Sequence, residues 1–200
     1  MFDMNRRGTH VIAIVPAAGR SGRMGTLKQL LPVDGLPMVM HVVEALRAGG
    51  AGEVIVVASP ALKEAIVDPP RDVRVVVNGD PETDMIDSIR IALDAAEGAG
   101  ADGFLICPCD AVGIATADVR RCTDAFTETP DHIVVATHNQ KRGHPMLFPA
   151  SLATSVRSPE CDDGLNHLAR NRPQLLRTVE CDSPGTVANV NTPADYQKLK

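Results

Sequence analysis

The chain has 200 residues, 44% of them hydrophobic and 2% aromatic, and a formal net charge of −5 at pH 7. This size suits a single domain over residues 1–200, and with no long apolar run or signal-peptide core we expect it in the cytoplasm. The acidic balance argues against a general nucleic-acid or membrane binder, which needs a broad basic surface, so any anion site must be local.

The first predicted element is a buried strand over Val11–Val15, and a glycine-rich segment, 16–28, follows it directly. Glycines let backbone N–H groups approach a bulky anion, and fixed cations between them offset its charge. The segment has neither the GK[ST] ending of a P-loop nor the GxGxxG order of a dinucleotide fingerprint. It therefore indicates a polyphosphate site, although an ordinary turn with solvated cations stays open. The residues concerned are Gly19, Arg20, Ser21, Gly22, Arg23, Gly25 and Lys28.

Helical and extended patterns then alternate along the chain. The helices are predicted over Met38–Ala48, Ala61–Val67, Met85–Ala96 and Thr116–Phe126, and the strands over Val54–Ala58, Val73–Val77, Phe104–Cys107 and Ile133–Thr137. Such alternation predicts a three-layer α/β/α, Rossmann-like fold with a mostly parallel sheet.

The last quarter of the chain is less regular. Lys141–Phe148 is predicted as a loop entering a short strand, Leu165–Arg170 as a short helix and Leu175–Val179 as a strand. A final helix is predicted to begin at Thr192, with Thr as N-cap, Pro193 at the first helical position and Asp195 near the positive end of the dipole.

Ligands of parallel sheets gather at the carboxyl ends of the strands, so three loops should meet there: 16–28, 78–88 and 108–113. Asp110 lies in the last of these loops. Because Mg²⁺ prefers one or two carboxylates together with phosphate oxygens, Asp110 is a candidate ligand. A turn or capping aspartate is the alternative.

The runs AAGRSGRMG (17–25) and KQLLPVDGLP (28–37) resemble the signature of the MobA-like nucleotidyltransferases, and especially of the molybdenum cofactor cytidylyltransferase branch. The resemblance implies a fold like that of the nucleotide-diphospho-sugar transferases. It also implies Mg²⁺-dependent transfer of a nucleotidyl group, with CTP as the most expected triphosphate. The acceptor would be a phosphorylated small molecule such as molybdopterin, and pyrophosphate would leave.

The resemblance also assigns roles to residues at matching positions. Lys28 would stabilise charge on the α-phosphoryl group, while Arg20 and Arg23 would hold the leaving phosphates. The metal would lie between Asp110 and Asn191, although Asn191 stands where the family usually has an aspartate. The nucleotide would contact Ala17, Ala18, Gly19, Ser21, Gly22, Gly79, Asp80 and Ser88, and the acceptor Gly143, His144, Pro145 and Asp163.

Three alternatives qualify these assignments. Gly143–Pro145 could be an ordinary loop, and Asp163 could cap the helix that follows it. The acceptor could instead be a sugar phosphate or another small phosphorylated alcohol. The protein could also bind nucleotide with little catalysis, in which case Mg²⁺ would barely tighten triphosphate binding and Asn191→Asp would raise activity.

Overall fold

The described residues, 8–19 and 24–199, form nine strands and seven α-helices in this computed structural model. The strands are β1 (Val11–Ala17), β2 (Pro32–Val33), β3 (Leu36–Pro37), β4 (Glu53–Ala58), β5 (Val73–Val77), β6 (Gly103–Ile106), β7 (Ile133–His138), β8 (Lys141–Pro149) and β9 (Leu176–Glu180). The helices are α1 (Met38–Ala48), α2 (Pro60–Ala65), α3 (Met85–Ala95), α4 (Thr116–Glu128), α5 (Ala153–Arg157), α6 (Asn166–Arg170) and α7 (Pro193–Gln197). None of these helices has an apolar stretch long enough to cross a bilayer.

Seven strands form one sheet in the order β5-β4-β1-β6-β8-β7-β9, and β2 and β3 pair separately as a small antiparallel hairpin. Strand β1 lies in the interior of the large sheet, parallel to β4 on one side and β6 on the other. Only β8 runs against its neighbours, β6 and β7. The predicted mostly parallel sheet is therefore confirmed.

Helices cover both faces of this sheet, which makes three layers. Alternate residues of a strand point to opposite faces, so Val11, Ala13 and Val15 pack with α1 and α4. Ile12 and Ile14 pack on the other side with α3, α5 and α6. All seven residues of β1 are buried, as expected for a strand covered on both faces. The predicted α/β/α arrangement is confirmed.

The predicted ends of two helices are also confirmed by their caps. Helix α1 ends at the predicted Ala48 with Gly49 as its C-cap residue, and Gly50 then adopts φ of 106°, which favours glycine. Helix α7 begins with a capping box: the Thr192 hydroxyl accepts from the Asp195 N–H at 3.2 Å, and the Asp195 carboxylate accepts from the Thr192 N–H at 2.9 Å.

The prediction of a loop over most of Lys141–Phe148 was wrong, because β8 starts at Lys141 and runs for nine residues. Gly and Pro weaken the strand pattern of this segment. Its register with β7 shifts between the pairs Val135–Met146 and Thr137–Arg142. Pro145 lies within this irregular stretch, where the regular ladder between β7 and β8 is interrupted.

Candidate active site

A lysine, an aspartate and an asparagine from three distant parts of the chain meet at the carboxyl edge of the sheet. The Lys28 ammonium donates to Asp110 Oδ2 at 2.8 Å, to Asn191 Oδ1 at 3.1 Å and to the Val190 carbonyl at 3.0 Å. The Lys28 and Asp110 side chains are 12% and 13% exposed. The sheet edge predicted from the alternating strands and helices therefore brings together the residues proposed for the phosphoryl group and the metal.

Backbone hydrogen bonds hold Asp110 in this position. The Cys109 N–H donates to the Pro16 carbonyl at 3.3 Å, which continues the contact between β1 and the segment after β6. The Val190 N–H donates to the Asp110 carbonyl at 3.0 Å and so ties the C-terminal segment to the same loop. The site therefore rests on the interior of the sheet.

Asp118 of α4 fixes the segment that leads toward Asn191. Its side chain is 2% exposed, and its carboxylate accepts from the N–H groups of Asp182 and Ser183 at 3.1 and 3.0 Å. A buried carboxylate satisfied by two backbone donors holds a chain segment firmly. The position of Asn191 is thus set by two anchors, at residues 182–183 and 190.

One oxygen of Asp110 has no donor within the part of the chain that the structure describes. Asp110 Oδ1 is buried and has no hydrogen-bond partner among residues 8–19 and 24–199. Over the same ranges, no three His, Cys, Asp or Glu side chains lie close enough to enclose a metal ion. The oxygens of Asp110, Asn191 and Val190 instead suit a hard cation that takes its remaining ligands from phosphate or water.

The residues expected to bind nucleotide line two adjoining clefts beside this cluster. A cleft of about 170 Å³ is lined by Ala17, Ala18, Gly19, Lys28, Ser88 and Asp110, among others. A second cleft of about 230 Å³ shares Ala18 and Gly19 and is lined as well by Gly79 and Asp80. Arg20, Ser21, Gly22 and Arg23 lie outside the described residues. The described part of the predicted nucleotide set is thus brought to one place.

Ser88 also takes part in a buried hydrogen-bond network between α3 and the loop that follows β5. It is buried, and its hydroxyl oxygen accepts from the Asn78 side-chain amide at 3.2 Å. The same amide donates to the Thr83 hydroxyl at 2.9 Å. Asn78, which the sequence analysis did not single out, therefore shapes the loop between β5 and α3.

Gln29 is a second residue that sequence reasoning missed. Its side chain is 1% exposed, and its amide donates to the carbonyls of Ala17 and Gly19, both at 2.9 Å. These carbonyls belong to the start of the glycine-rich segment. Gln29 thus fixes the backbone at the start of the predicted polyphosphate loop through two hydrogen bonds. The only signal in the sequence was a polar residue inside the otherwise apolar run after Lys28.

Gln29→Leu should lower the free energy of unfolding by about 2 kcal/mol, because two carbonyls lose their donors while the volume is nearly kept. Since the loop backbone is then less well fixed, triphosphate binding should weaken about tenfold. Urea denaturation and a fluorescence titration with CTP measure the two effects. The matched control, Gln174→Leu at an exposed position, should change neither. Unchanged triphosphate affinity in Gln29→Leu would contradict the role.

A larger cleft, of about 470 Å³, adjoins the 170 Å³ nucleotide cleft, and Met85 lines both. Ile106, Val135 and Met146 form an apolar wall, whereas two cations, Arg142 and Arg170, stand at other parts of the lining. Of the residues expected to bind an acceptor, the lining includes Gly143, His144 and Asp163. Pro145 is buried and does not belong to this lining.

His144 lies partly buried in the wall of this cleft. Its Nδ1 is buried and has no hydrogen-bond partner among the described residues. Burial lowers the pKa of His144, although the nearby Asp110 carboxylate opposes the shift. The ring is therefore neutral at pH 7 and can offer an acceptor molecule a hydrogen bond instead of a charge.

Asp163 does not cap helix α6, because the N-cap position is Leu165. The turn that contains Asp163 is held by Arg90 of α3, a third residue that sequence reasoning missed. The Arg90 guanidinium donates to the carbonyls of Val156 and Ser158 at 3.1 and 2.8 Å and to Asp162 Oδ1 at 2.6 Å. Arg90 thus positions one side of the large cleft.

A sheet of this order, with a lysine–aspartate pair at its carboxyl edge and adjoining clefts lined by the predicted nucleotide and acceptor residues, is the arrangement expected of a nucleotidyltransferase. The chain belongs to the MobA-like NTP transferase family, whose model matches residues 13–179. The resemblance found in the sequence is therefore confirmed at the level of the family.

Two curated relatives differ in the nucleotide that they use. The chain is 27% identical to a probable molybdenum cofactor guanylyltransferase of Rhodopirellula baltica, over 92% of this chain and 89% of that protein. It is 42% identical to 2-C-methyl-D-erythritol 4-phosphate cytidylyltransferase of Nocardia farcinica, but over only 50% of this chain and 44% of that enzyme.

Among solved structures, Rv0371c of Mycobacterium tuberculosis superposes with a TM-score of 0.82 at 27% identity, covering 96% of this chain and 97% of that one. A second structure of Rv0371c, in complex with manganese, gives a TM-score of 0.74 at 26% identity, covering 96% and 98% of the two chains. The likeness extends over nearly the whole of both chains.

Proposed function

We propose that the protein is an Mg²⁺-dependent nucleotidyltransferase that transfers CMP from CTP to a phosphorylated acceptor such as molybdopterin and releases pyrophosphate. One observation carries this proposal: the Lys28–Asp110 pair, with an N–O distance of 2.8 Å, lies beside the nucleotide cleft and close to the larger cleft that contains His144. A cation and a carboxylate at that junction are what a reaction between two phosphates requires.

The chemistry needs no protein base. A terminal phosphate monoester has its second pKa near 6, so the acceptor is largely ionised at neutral pH. Its oxygen attacks the α-phosphorus of the triphosphate, a new P–O bond forms, and the bond to the β-phosphate oxygen breaks to release pyrophosphate. Lys28 stabilises charge on the α-phosphoryl group, and Arg20 and Arg23 hold the leaving phosphates. Catalysis then reduces to alignment and charge neutralisation.

Asp110 and Asn191 would hold the Mg²⁺ ion. The fit is supported by the buried Asp110 Oδ1, which has no hydrogen-bond partner within residues 8–19 and 24–199, and by the oxygen atoms of Asp110 and Asn191 at the same edge. The manganese complex of Rv0371c is consistent with a divalent cation in this family. When bound, the metal would supply positive charge that offsets the charge on the reacting phosphates.

The choice of CTP rests on the AAGRSGRMG run (17–25), which resembles the cytidylyltransferase branch, and on the similarity to the Nocardia farcinica cytidylyltransferase. That similarity also favours a second candidate acceptor, a small phosphorylated polyol, since the relative acts on 2-C-methyl-D-erythritol 4-phosphate. The guanylyltransferase relative makes GTP the competing nucleotide.

Pyrophosphate release decides among these candidates. CTP, GTP and UTP are each paired with molybdopterin, 2-C-methyl-D-erythritol 4-phosphate and a sugar 1-phosphate, with and without Mg²⁺. We expect CTP with molybdopterin to give the highest kcat/KM, and only with Mg²⁺. Faster release with GTP would reassign the nucleotide. No release under any pairing would reject transfer and leave the weakly catalytic nucleotide-binding protein as the function.

A further inference from the structure

One ammonium group contacts three of the oxygens available to the proposed metal, and Asp110 Oδ1, the other oxygen of the same carboxylate, has no hydrogen-bond partner among the described residues. Lys28 Nζ lies 2.8 Å from Asp110 Oδ2, 3.1 Å from Asn191 Oδ1 and 3.0 Å from the Val190 carbonyl. A carboxylate, an amide oxygen and a carbonyl are also ligands of hard divalent cations. The lysine therefore makes three of the contacts that a metal ion at this edge could make.

The two cations cannot share this position. Metal–oxygen distances for Mg²⁺ are about 2.1 Å, so an ion between the same oxygens would lie well inside the van der Waals contact of the ammonium. Two positive charges at that separation also repel strongly in a site with little water. With the side chains of Lys28 and Asp110 only 12% and 13% exposed, solvent screens them little. Occupation by one cation thus requires departure of the other.

We propose that Lys28 occupies the cation position in the protein without nucleotide and leaves it only when a triphosphate binds. Lys28 then has two successive partners: the Asp110 carboxylate before binding and the α-phosphoryl group afterwards. A divalent cation consequently binds together with the nucleotide and not before it. This inference rests on the proposed function, because it uses the same metal position and the same triphosphate.

Charge balance gives the exchange its direction. Lys28 and Asp110 are neutral as a pair, so an added divalent cation without phosphate would leave a net charge of +2 among these groups. A bound triphosphate supplies several negative charges within reach of the flexible four-carbon stem of the lysine. Lys28 already lines the nucleotide cleft, so rotation about its side-chain bonds can bring the ammonium to a bound triphosphate while Gln29 keeps the backbone in place.

Binding of Mn²⁺ in the absence of nucleotide tests the inference. Free Mn²⁺ is measured by electron paramagnetic resonance for the wild type, for Lys28→Met and for the matched control Lys63→Met, which removes an exposed lysine from α2. We expect Lys28→Met to bind Mn²⁺ at least tenfold more tightly than the other two proteins. Adding Asp110→Asn to Lys28→Met should abolish the gain.

Equal Mn²⁺ affinities for Lys28→Met and the wild type would overturn the inference, and so would a gain that survives Asp110→Asn. Should Lys28→Met fail to fold, Lys28→Gln gives the same test, because its amide can still donate to Asp110 but carries no charge. No substrate is present in these titrations, so their failure is distinct from failure of the proposed function, which is judged by pyrophosphate release from the wild type.

Discussion

Asp110→Asn should slow pyrophosphate release about a thousandfold while leaving the fold intact. The substitution keeps the shape of the side chain but removes the only carboxylate within hydrogen-bond reach of Lys28 among the described residues. The proposed metal would then lose its charged ligand, and Lys28 would lose the carboxylate that it contacts at 2.8 Å. Steady-state kinetics with CTP and Mg²⁺ and a thermal melt of the same sample measure the two expectations.

The matched control is Asp94→Asn on the outer face of α3. Asp94 accepts from Arg157 at 2.8 Å in an exposed ion pair, far along the helix from the clefts. Exposed pairs contribute little to stability, so both activity and melting temperature should stay near the wild-type values. If Asp110→Asn retained activity within tenfold of the wild type, Asp110 would be a structural aspartate of the loop after β6.

Much of the fold follows from local sequence because its signals are local. Apolar residues recur with the helical period over Met38–Ala48, and two glycines follow this segment. It forms α1 with the predicted bounds. The Thr192–Pro193–Ala194–Asp195 segment contains its own capping residues, and these make the capping-box hydrogen bonds at the start of α7. Strand β1 was predicted two residues short at its C-terminus, since Pro16 conceals the continuation of the strand.

The central part of the site was also predictable, because the carboxyl edge of a parallel sheet brings loops together wherever they lie in the sequence. That rule placed Asp110 near Lys28 across 82 positions of the chain. It could not show that Lys28 and Asn191 are direct partners, because that contact depends on side-chain directions. It also said nothing of Gln29 and Arg90, whose roles are hydrogen bonds to carbonyls that no sequence pattern marks.

Close backbone contacts were the least predictable feature. Gly143 was expected to contact an acceptor, and it does line the large cleft. It also has a packing reason to be glycine, since a Cβ at this position would overlap the Thr186 carbonyl oxygen. Contacts between residues this far apart in the chain produce no periodic pattern in the sequence from which they could be predicted. Glycines in strands and turns therefore needed the structure to be explained.

Gly185→Ala should lower the free energy of unfolding by about 3 kcal/mol, the largest stability effect that we expect from a single added methyl group. Gly185 is buried in the turn after β9, and a Cβ there would overlap the carbonyl group of Gly113. The obstructing atoms belong to the backbone, so no side-chain rotation can relieve the overlap. Urea denaturation of the two proteins measures the difference.

The matched control for stability is Gly79→Ala, because a Cβ at Gly79 would meet no heavy atom within 4 Å.

Gly185→Ala should also weaken Mn²⁺ binding in the presence of CTP. Gly113 follows Asp110 in one loop, and Gly185 precedes Val190 and Asn191 in the other, so separating the two glycines moves the proposed metal ligands apart. A variant as stable as Gly79→Ala would mean that the two loops are not in backbone contact. A variant that was unstable but bound Mn²⁺ normally would mean that the contact at Val190 alone sets the distance between Asp110 and Asn191.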